Sequence, residues 1–379
     1  MEERQSFTRL PQTWVIYIAI AAFSYLINSL SGLLPRLGTE LNLSYVQTSL
    51  HSSAFGFGLL IVGLVGGLLK HFGNRQLFSV SILGMAIGCA LISISTHPTN
   101  SLFALLMMSV CGALLPLLVP VALRSLHPRH DLTAITEANT LASAMAVIAP
   151  LSFAIGLDWR TVYVLVAGIM VLILWPVRQI HATSFSEQPI ATTSPRTNTR
   201  FWQYWIMLFL AISLEFSTLY WGVAYLSQVH TLTTATATQW IALVLVGMFI
   251  GRFLGSRLSM RLSAESLILL SICVLAIGLY GLLQTSWTQM ALLIIGLGIA
   301  NLYPSVITLA MANHQSAAQA GVRAVLALGC AIVLLPLSLG WLADIVGLRY
   351  AFNTTLTLLL TTFSLVFLFI QWRRSAATE

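Results

Sequence analysis

An acidic side chain lies in the middle of the long apolar segment LFLAISLEFSTLYWGVAYL, which contains no other charged residue. The acid is Glu215, and Thr218 and Tyr225 follow it at spacings that place all three on one face of a helix. An ionisable group inside a bilayer is costly, and its presence there indicates a function by default. We therefore predict that Glu215 carries a proton or accepts a substrate cation; the remaining interpretation is a purely structural acid.

Two other apolar segments carry polar side chains at helical spacing. Their members are Tyr17, Ser24 and Asn28 in the first segment, and Asn301 and Ser305 in a segment of the second half. Such stripes are typical of a solute-binding cavity, and also of hydrogen bonds between packed membrane helices. We expect the two asparagines to face a cavity, whereas the hydroxyl groups fit either interpretation. The rings of Tyr17 and Tyr225 offer stacking faces for a sugar ring or a cation.

The composition that surrounds these residues is that of a membrane protein. The 379 residues are 58% hydrophobic and only 8% charged, which is too little charge for the surface of a soluble domain of this length. The apolar residues form twelve runs near 20 residues long, the length with which a helix crosses a bilayer. We therefore predict an all-α polytopic membrane protein with twelve transmembrane helices.

The basic residues indicate how the chain is oriented. Of the 18 Lys and Arg residues, only Arg36, Arg160 and Arg349 fall in the connections on one side of the predicted spans. The others lie at or near the opposite side, where the positive-inside rule places the cytoplasm. We expect both termini in the cytoplasm and the chain in the inner membrane. The net charge of +7 is therefore explained by the membrane topology and does not indicate nucleic-acid binding.

An internal repeat divides the chain into two halves. A polar segment rich in Ser, Thr and Pro separates them, and we predict six-helix bundles at residues 12–177 and 203–372 joined by a cytoplasmic linker at 178–202. Similar residues recur 184 to 189 positions apart, in the same order in both halves. The repeated pairs are Gly63 and Gly251, Gly67 and Gly255, Gly112 and Gly296, Pro120 and Pro304, Pro150 and Pro336, and Arg160 and Arg349.

Two motifs of the second half, GLGIANLYPSVITLAM and PLSLGWLADIVGLRYAF, add a family resemblance. With the repeat, they resemble the major facilitator superfamily over nearly the whole chain. The loop GGLLKHFGNRQ departs from that family's pattern, because Lys70 and Asn74 replace the usual acidic and basic residues. The resemblance implies two pseudo-symmetric six-helix bundles that rock about a site near the membrane midplane. It also implies that the first, fourth, seventh and tenth spans line the cavity.

Three charged residues lie nearer the cytoplasmic ends of the predicted spans. In the fold that the chain resembles, the fifth and eighth spans meet across the halves, so Glu137 and Arg252 are predicted to pair as an inner gate. Arg323 begins the eleventh span at nearly the repeat position of Glu137. The alternative is that these side chains extend to the membrane surface. We expect His51, at the outer start of the second span, to be a surface residue.

These observations favour a secondary active transporter of a small neutral or cationic organic solute, coupled to protons by Glu215. No Arg or Lys lies mid-span on the predicted cavity helices, which disfavours anions. The alternatives are an efflux pump for amphipathic or cationic drugs and, from another class, a non-transporting membrane sensor. An enzyme is not expected, because one acid is not a catalytic constellation. We expect no metal, no cofactor other than the coupling proton, no nucleic-acid partner, and a monomer in the lipid bilayer.

The topology is testable with single introduced cysteines. Cysteines at Thr99 and Gln289 should react with an impermeant thiol reagent added outside sealed cells, because both positions lie in predicted outer loops. Cysteines at Asn74 and Ser194 should be protected. Labelling of the Ser194 position from outside would contradict cytoplasmic termini.

Overall fold

The structure is a computed structural model that describes residues 8–65, 73–128, 131–177, 199–259, 261–283, 287–312 and 317–375. Within these ranges the regular structure is helical, and no strand occurs. The loop that carries Lys70 lies outside the described residues. Residues 178–198 of the predicted linker also lie outside the described residues. The last residues of that linker belong to a helix that begins at Thr199.

The helices of the first half are α1 Pro11–Glu40, α2 Tyr45–Val65, α3 Asn74–Ser93, α4 Pro98–Gly112, α5 Leu115–Leu126, α6 Asp131–Ala154 and α7 Trp159–Val177. Those of the second half are α8 Thr199–Val229, α9 Thr234–Leu258, α10 Ala264–Leu282, α11 Thr288–Ile299, α12 Leu302–Ala312, α13 Ala317–Val346 and α14 Leu348–Ser375.

These fourteen helices form twelve spans, as predicted. Eleven helical segments in the described part of the chain are long and apolar enough to cross a membrane. The 24-residue helix α6 supplies the remaining span, because its length corresponds to about 36 Å. The fourth span is divided into α4 and α5, and the tenth into α11 and α12. The two breaks fall at corresponding places of the repeated halves.

The break in the fourth span has a local cause. Gly112 ends α4, and a Cβ atom at that position would overlap the ring of Phe23 on α1. Pro116 follows in the first turn of α5 and disfavours helical geometry at the residue before it. The divided span thus lets α1 approach closely, and α1 carries the first polar stripe.

The two halves contact each other mainly through α2 and α13, with further contacts of α6 with α9 and of α1 with α8. Glycines permit the close approach of α2 and α13. A Cβ atom at Gly56 would overlap the backbone of Ile332, and one at Gly329 would overlap the backbone of Leu60. Small residues at such positions let membrane helices pack backbone to backbone. Close packing therefore holds the halves together.

At the predicted outer end of this contact, an acid of one half caps a helix of the other. The carboxylate of Asp344 on α13 accepts hydrogen bonds from the backbone N–H groups of Tyr45, at 3.1 Å, and Val46, at 3.0 Å. These groups begin α2, where the helix dipole also favours a negative charge. Tyr45 accepts a hydrogen bond from Gln228 and lies edge-on to Trp221, both on α8. We call Asp344, Tyr45, Gln228 and Trp221 the outer latch.

The outer latch should hold the outer ends together. Asp344→Ala removes both cap bonds, and loss of a helix cap typically costs about 1 kcal/mol, or about a fivefold shift toward the open arrangement. A reporter cysteine at Thr48, in a variant whose four native cysteines are replaced, should then react faster with an impermeant reagent added outside.

Asp158→Ala is the matched control for the latch. Asp158 accepts from the backbone N–H of Thr161, at 3.2 Å, within its own half. Its loss should leave labelling at Thr48 unchanged. Equal acceleration by both variants, or none by Asp344→Ala, would show that the latch does not hold the halves together.

Candidate substrate and proton site

Glu215 lies near the middle of α8 and is half-buried, as the sequence suggested. Within the described residues its carboxylate has no hydrogen-bond or ion-pair partner. Arg252 on α9 is close enough to interact with it electrostatically. Tyr303 on α12 interacts electrostatically with both residues. The second half therefore assembles an acid, a guanidinium and a phenol from three helices, which we call the central cluster.

Two side chains of the central cluster, those of Arg252 and Tyr303, are exposed. Arg252 is exposed and lies six residues before the end of α9 at Leu258, which corresponds to about 9 Å along the helix. Tyr303 is 37% exposed and follows directly on the break between α11 and α12. The sequence places no Arg or Lys mid-span on the predicted cavity helices. The guanidinium near Glu215 comes instead from α9, which is not one of those helices.

The polar stripe of α1 contacts α6 in the same half. The hydroxyl of Tyr17 is buried and donates to the carboxylate of Glu137 at 3.1 Å. Ser24 donates to the carbonyl of Ala142 at 2.7 Å, and the amide of Asn28 donates to the carbonyl of Ser24 at 2.8 Å. Ser24 and Asn28 stay half-buried, so both border open space in this conformation. Tyr17 instead joins two helices.

The predicted site residues of the second half are mostly covered in this conformation. Thr218 is buried and donates to the carbonyl of Leu214 at 2.7 Å, and Ser305 is buried as well. The buried ring of Tyr225 stacks on Phe352 with centroids 4.5 Å apart.

Asn301 joins two helices of the second half. Its side-chain amide donates to the carbonyl of Gly251 on α9 at 2.9 Å, and a Cβ atom at Gly255 would overlap that amide. Asn301 is half-buried, so helix packing and contact with a cavity are both compatible with its position. Gly255, one of the glycines of the internal repeat, thus makes room for this asparagine.

The three predicted gate residues do not contact one another here. Glu137 forms a bidentate ion pair with Arg9, with bonds of 2.9 and 2.5 Å, rather than with Arg252. The pKa of Arg9 is raised by its hydrogen bond to Glu137. The guanidinium of Arg323 lies over the rings of Phe201 and Trp202, 5.6 Å from each centroid. A Glu137–Arg252 pair stays a prediction for a conformation in which the cytoplasmic ends close.

His51 is a correction to the sequence analysis. It was expected at the surface, but only 1% of it is exposed. Its ring nitrogens lie 2.8 Å from the carbonyl of Gln47 and 2.8 Å from the hydroxyl of Ser101 on α4. Because both nitrogens have partners, a histidine fits between α2 and α4 within the apolar core.

The sequence profile of the Major Facilitator Superfamily matches residues 15–327, most of the chain. The chain belongs to the major facilitator superfamily. No curated protein sequence matches it significantly. Among the described residues no group of three potential metal ligands occurs.

Solved transporter structures share this fold at low sequence identity. A bacterial homologue of the human lysosomal transporter Spinster, inward-facing and occupied, superposes with a TM-score of 0.76 at 13% identity, over 94% of this chain and 96% of that one. The D-xylose-proton symporter gives 0.75 at 15% identity, over 94% and 96%. The nucleoside transporter NupG gives 0.72 at 12% identity, over 94% and 99%. The fold and family are those of multi-pass membrane transporters, not enzymes.

The partners of Asp344 and Glu137 were not predicted from the sequence. Asp344 stands in the quoted motif GWLADIVGLRYAF, yet its partner Tyr45 is 299 residues away. Arg9 precedes the first span, and Glu137 lies 128 residues further along. Only the charge of these acids indicated that a partner exists, because a carboxylate at a helix end is stabilised by a cation or by free N–H groups.

A double-mutant cycle tests the Arg9–Glu137 pair. Arg9→Gln and Glu137→Gln should lower the apparent unfolding temperature less in combination than the sum of the single effects, because each change breaks the same bond. Arg252→Gln combined with Glu137→Gln should be additive, since those side chains are not paired here. Strong coupling in the second cycle alone would contradict the arrangement.

Proposed function

We propose that the protein is a proton-coupled secondary transporter of a small uncharged organic solute, with Glu215 as the proton carrier. The observation that carries the proposal is the half-buried carboxylate of Glu215, which has no hydrogen-bond or ion-pair partner among the described residues. Unpaired ionisable groups at membrane depth are rare and mark ion pathways. The transporter acts as a monomer in the inner membrane with cytoplasmic termini, and it needs no cofactor beyond the proton.

Arg252 gives the proton movement a direction. When Glu215 is protonated, the half that carries it can move without an unpaired negative charge in the bilayer. When the inner side is open, the guanidinium of Arg252 stabilises the carboxylate that remains after the proton leaves. Arg252 lies toward the predicted cytoplasmic end of α9, so release toward the cytoplasm is favoured over release outside. Proton binding outside and release inside then drive alternating access.

The positive charge of Arg252 also affects which solutes can bind near Glu215. A cation at Glu215 would meet the electrostatic repulsion of this guanidinium, which weighs against cationic drugs and against the efflux alternative. A solute without charge avoids that repulsion and leaves Glu215 free for the proton. Two structural relatives are named for D-xylose and for nucleosides, which are uncharged polar molecules, and the same class is proposed for this chain. Half-buried Ser24 and Asn28 supply polar contacts from the opposite half.

Glu215→Gln separates coupling from binding. A thermal-shift screen over neutral sugars, polyols and nucleosides first identifies a solute that binds the purified protein. In proteoliposomes with an imposed pH gradient, Glu215→Gln should abolish accumulation of that solute but preserve solute exchange, because the amide keeps the shape of the site and cannot release a proton.

The control for this experiment is Glu265→Gln, at the start of α10 and outside the central cluster. It should leave accumulation and exchange intact. Unchanged accumulation in Glu215→Gln would remove the proton role. Loss of both exchange and binding would instead assign Glu215 to solute recognition.

A further inference from the structure

A cavity of about 220 Å³ lies beside the outer latch, between the outer parts of α1, α2 and α8 and the start of α9. It is separate from the central cluster, because none of Glu215, Arg252 and Tyr303 lines it. We propose that this outer cavity is a second binding site, for a small uncharged solute rich in hydroxyl groups. The inference rests on the proposed function for the solute class only.

The lining of the outer cavity is polar but uncharged. None of its fifteen residues is acidic, basic or a histidine. Hydroxyl groups come from both halves of the protein, and the aromatic residues Tyr45, Tyr220 and Trp221 complete the wall. A charged solute would lose its hydration here without gaining a partner charge, which is unfavourable. A neutral molecule with a polar edge and an apolar face avoids that loss.

The hydroxyl groups are arranged to accept hydrogen bonds. Thr39 donates its proton to the carbonyl of Pro35 at 2.9 Å, Ser49 donates to that of Val46 at 2.8 Å, and Ser52 donates to that of Ser49 at 2.8 Å. A hydroxyl has one proton but two lone pairs, so an oxygen that reaches the cavity can still accept. Thr39 is exposed, whereas Ser49 and Ser52 are each only 1% exposed. The cavity therefore favours a ligand that donates O–H groups.

The hydroxyl of Ser227 on α8 also supports a ligand in the outer cavity. Its hydroxyl oxygen is buried and, within the described part of the chain, has no hydrogen-bond partner. Buried polar atoms in native proteins normally have one, and an unsatisfied atom calls for an explanation. Ser227 lines the outer cavity through its other atoms. Rotation of its side chain toward the cavity then lets a hydroxyl of the solute bond to this oxygen.

The size and shape of the outer cavity further limit which ligands it can hold. The cavity is smaller than the roughly 300–1,000 Å³ of drug-sized sites, so it suits a single small ring. The indole of Trp221 offers an apolar face on which the carbon-bound hydrogens of such a ring can pack. A monosaccharide or the ribose end of a nucleoside combines an apolar face with several O–H donors.

Both halves supply walls of the outer cavity, which gives its ligand a conformational effect. Thr39, Ser49 and Ser52 belong to the first half, whereas Trp221 and Ser227 belong to the second. A ligand that contacts both walls binds the closed outer side better than the open one, and thus shifts the population toward closure. Solute at this site slows reopening to the outside.

The test uses titration calorimetry on the purified full chain with D-xylose and with uridine as probes. At least one probe should bind at two sites per chain. Ser227→Ala should weaken one site about three- to tenfold, as loss of one neutral hydrogen bond does, and leave the other unchanged. Its unfolding temperature without solute should not fall, because the hydroxyl has no partner there.

Ser217→Ala is the matched control. Ser217 lies on the same helix with a buried hydroxyl that also lacks a partner among the described residues, but it does not line the cavity. It should leave both sites unchanged. A single site for every probe, no binding of either probe, or equal weakening by Ser217→Ala and Ser227→Ala would overturn the proposal.

Two further binding measurements separate the proposed outer site from the proton role of Glu215. The outer site should persist in Glu215→Gln, and neither choline nor gluconate should displace the neutral probe from it. Loss of the outer site in Glu215→Gln would mean that it is not independent and would overturn it. Failure of pH-driven accumulation with the outer site intact would remove only the proposed coupling.

Discussion

The free-energy cost of an unpaired charge inside the bilayer decides where this chain keeps its ionisable groups. Arg9 and Glu137 neutralise each other where α1 and α6 begin, and Arg160 and Glu40 do so at the predicted outer side. Glu215 does not follow this arrangement. It lies in the middle of α8, and its carboxylate has no direct partner in the described residues. Arg252 interacts with it only electrostatically, without a hydrogen bond. These two ion pairs are partly exposed, whereas the deeper carboxylate of Glu215 has no direct partner among the described residues and can take up a proton.

The contact between the halves suits a protein that changes shape. It depends on close packing of α2 against α13 at Gly56 and Gly329, and among the described residues no buried ion pair joins these two helices. Separating such surfaces exposes no uncompensated charge within the bilayer. The one acid at this contact, Asp344, lies at its outer end, where water can replace the backbone N–H groups that it binds.

The sequence was sufficient for the features that arise from local periodicity. Twelve spans, the two-half repeat and the depth of Glu215 all follow from patterns within about 20 residues or from a fixed offset. Contacts between distant helices do not leave such patterns. The bond of Arg9 to Glu137, the burial of His51 against Ser101 and the approach of Arg252 to Glu215 depend on how helices turn about their axes. The polar stripe of α1 was recognised, but its bonds to α6 were not foreseeable from spacing alone.

The most direct test of the account measures the proton itself. Proteoliposomes that contain the native protein are placed in lightly buffered medium without a gradient, and a neutral solute that binds the protein is added outside. Import coupled to protons should raise the external pH as solute enters, and a protonophore should abolish that rise. The same addition to Glu215→Gln should move solute down its gradient without a pH change. Solute entry by the native protein at constant external pH would contradict proton coupling and the role of Glu215.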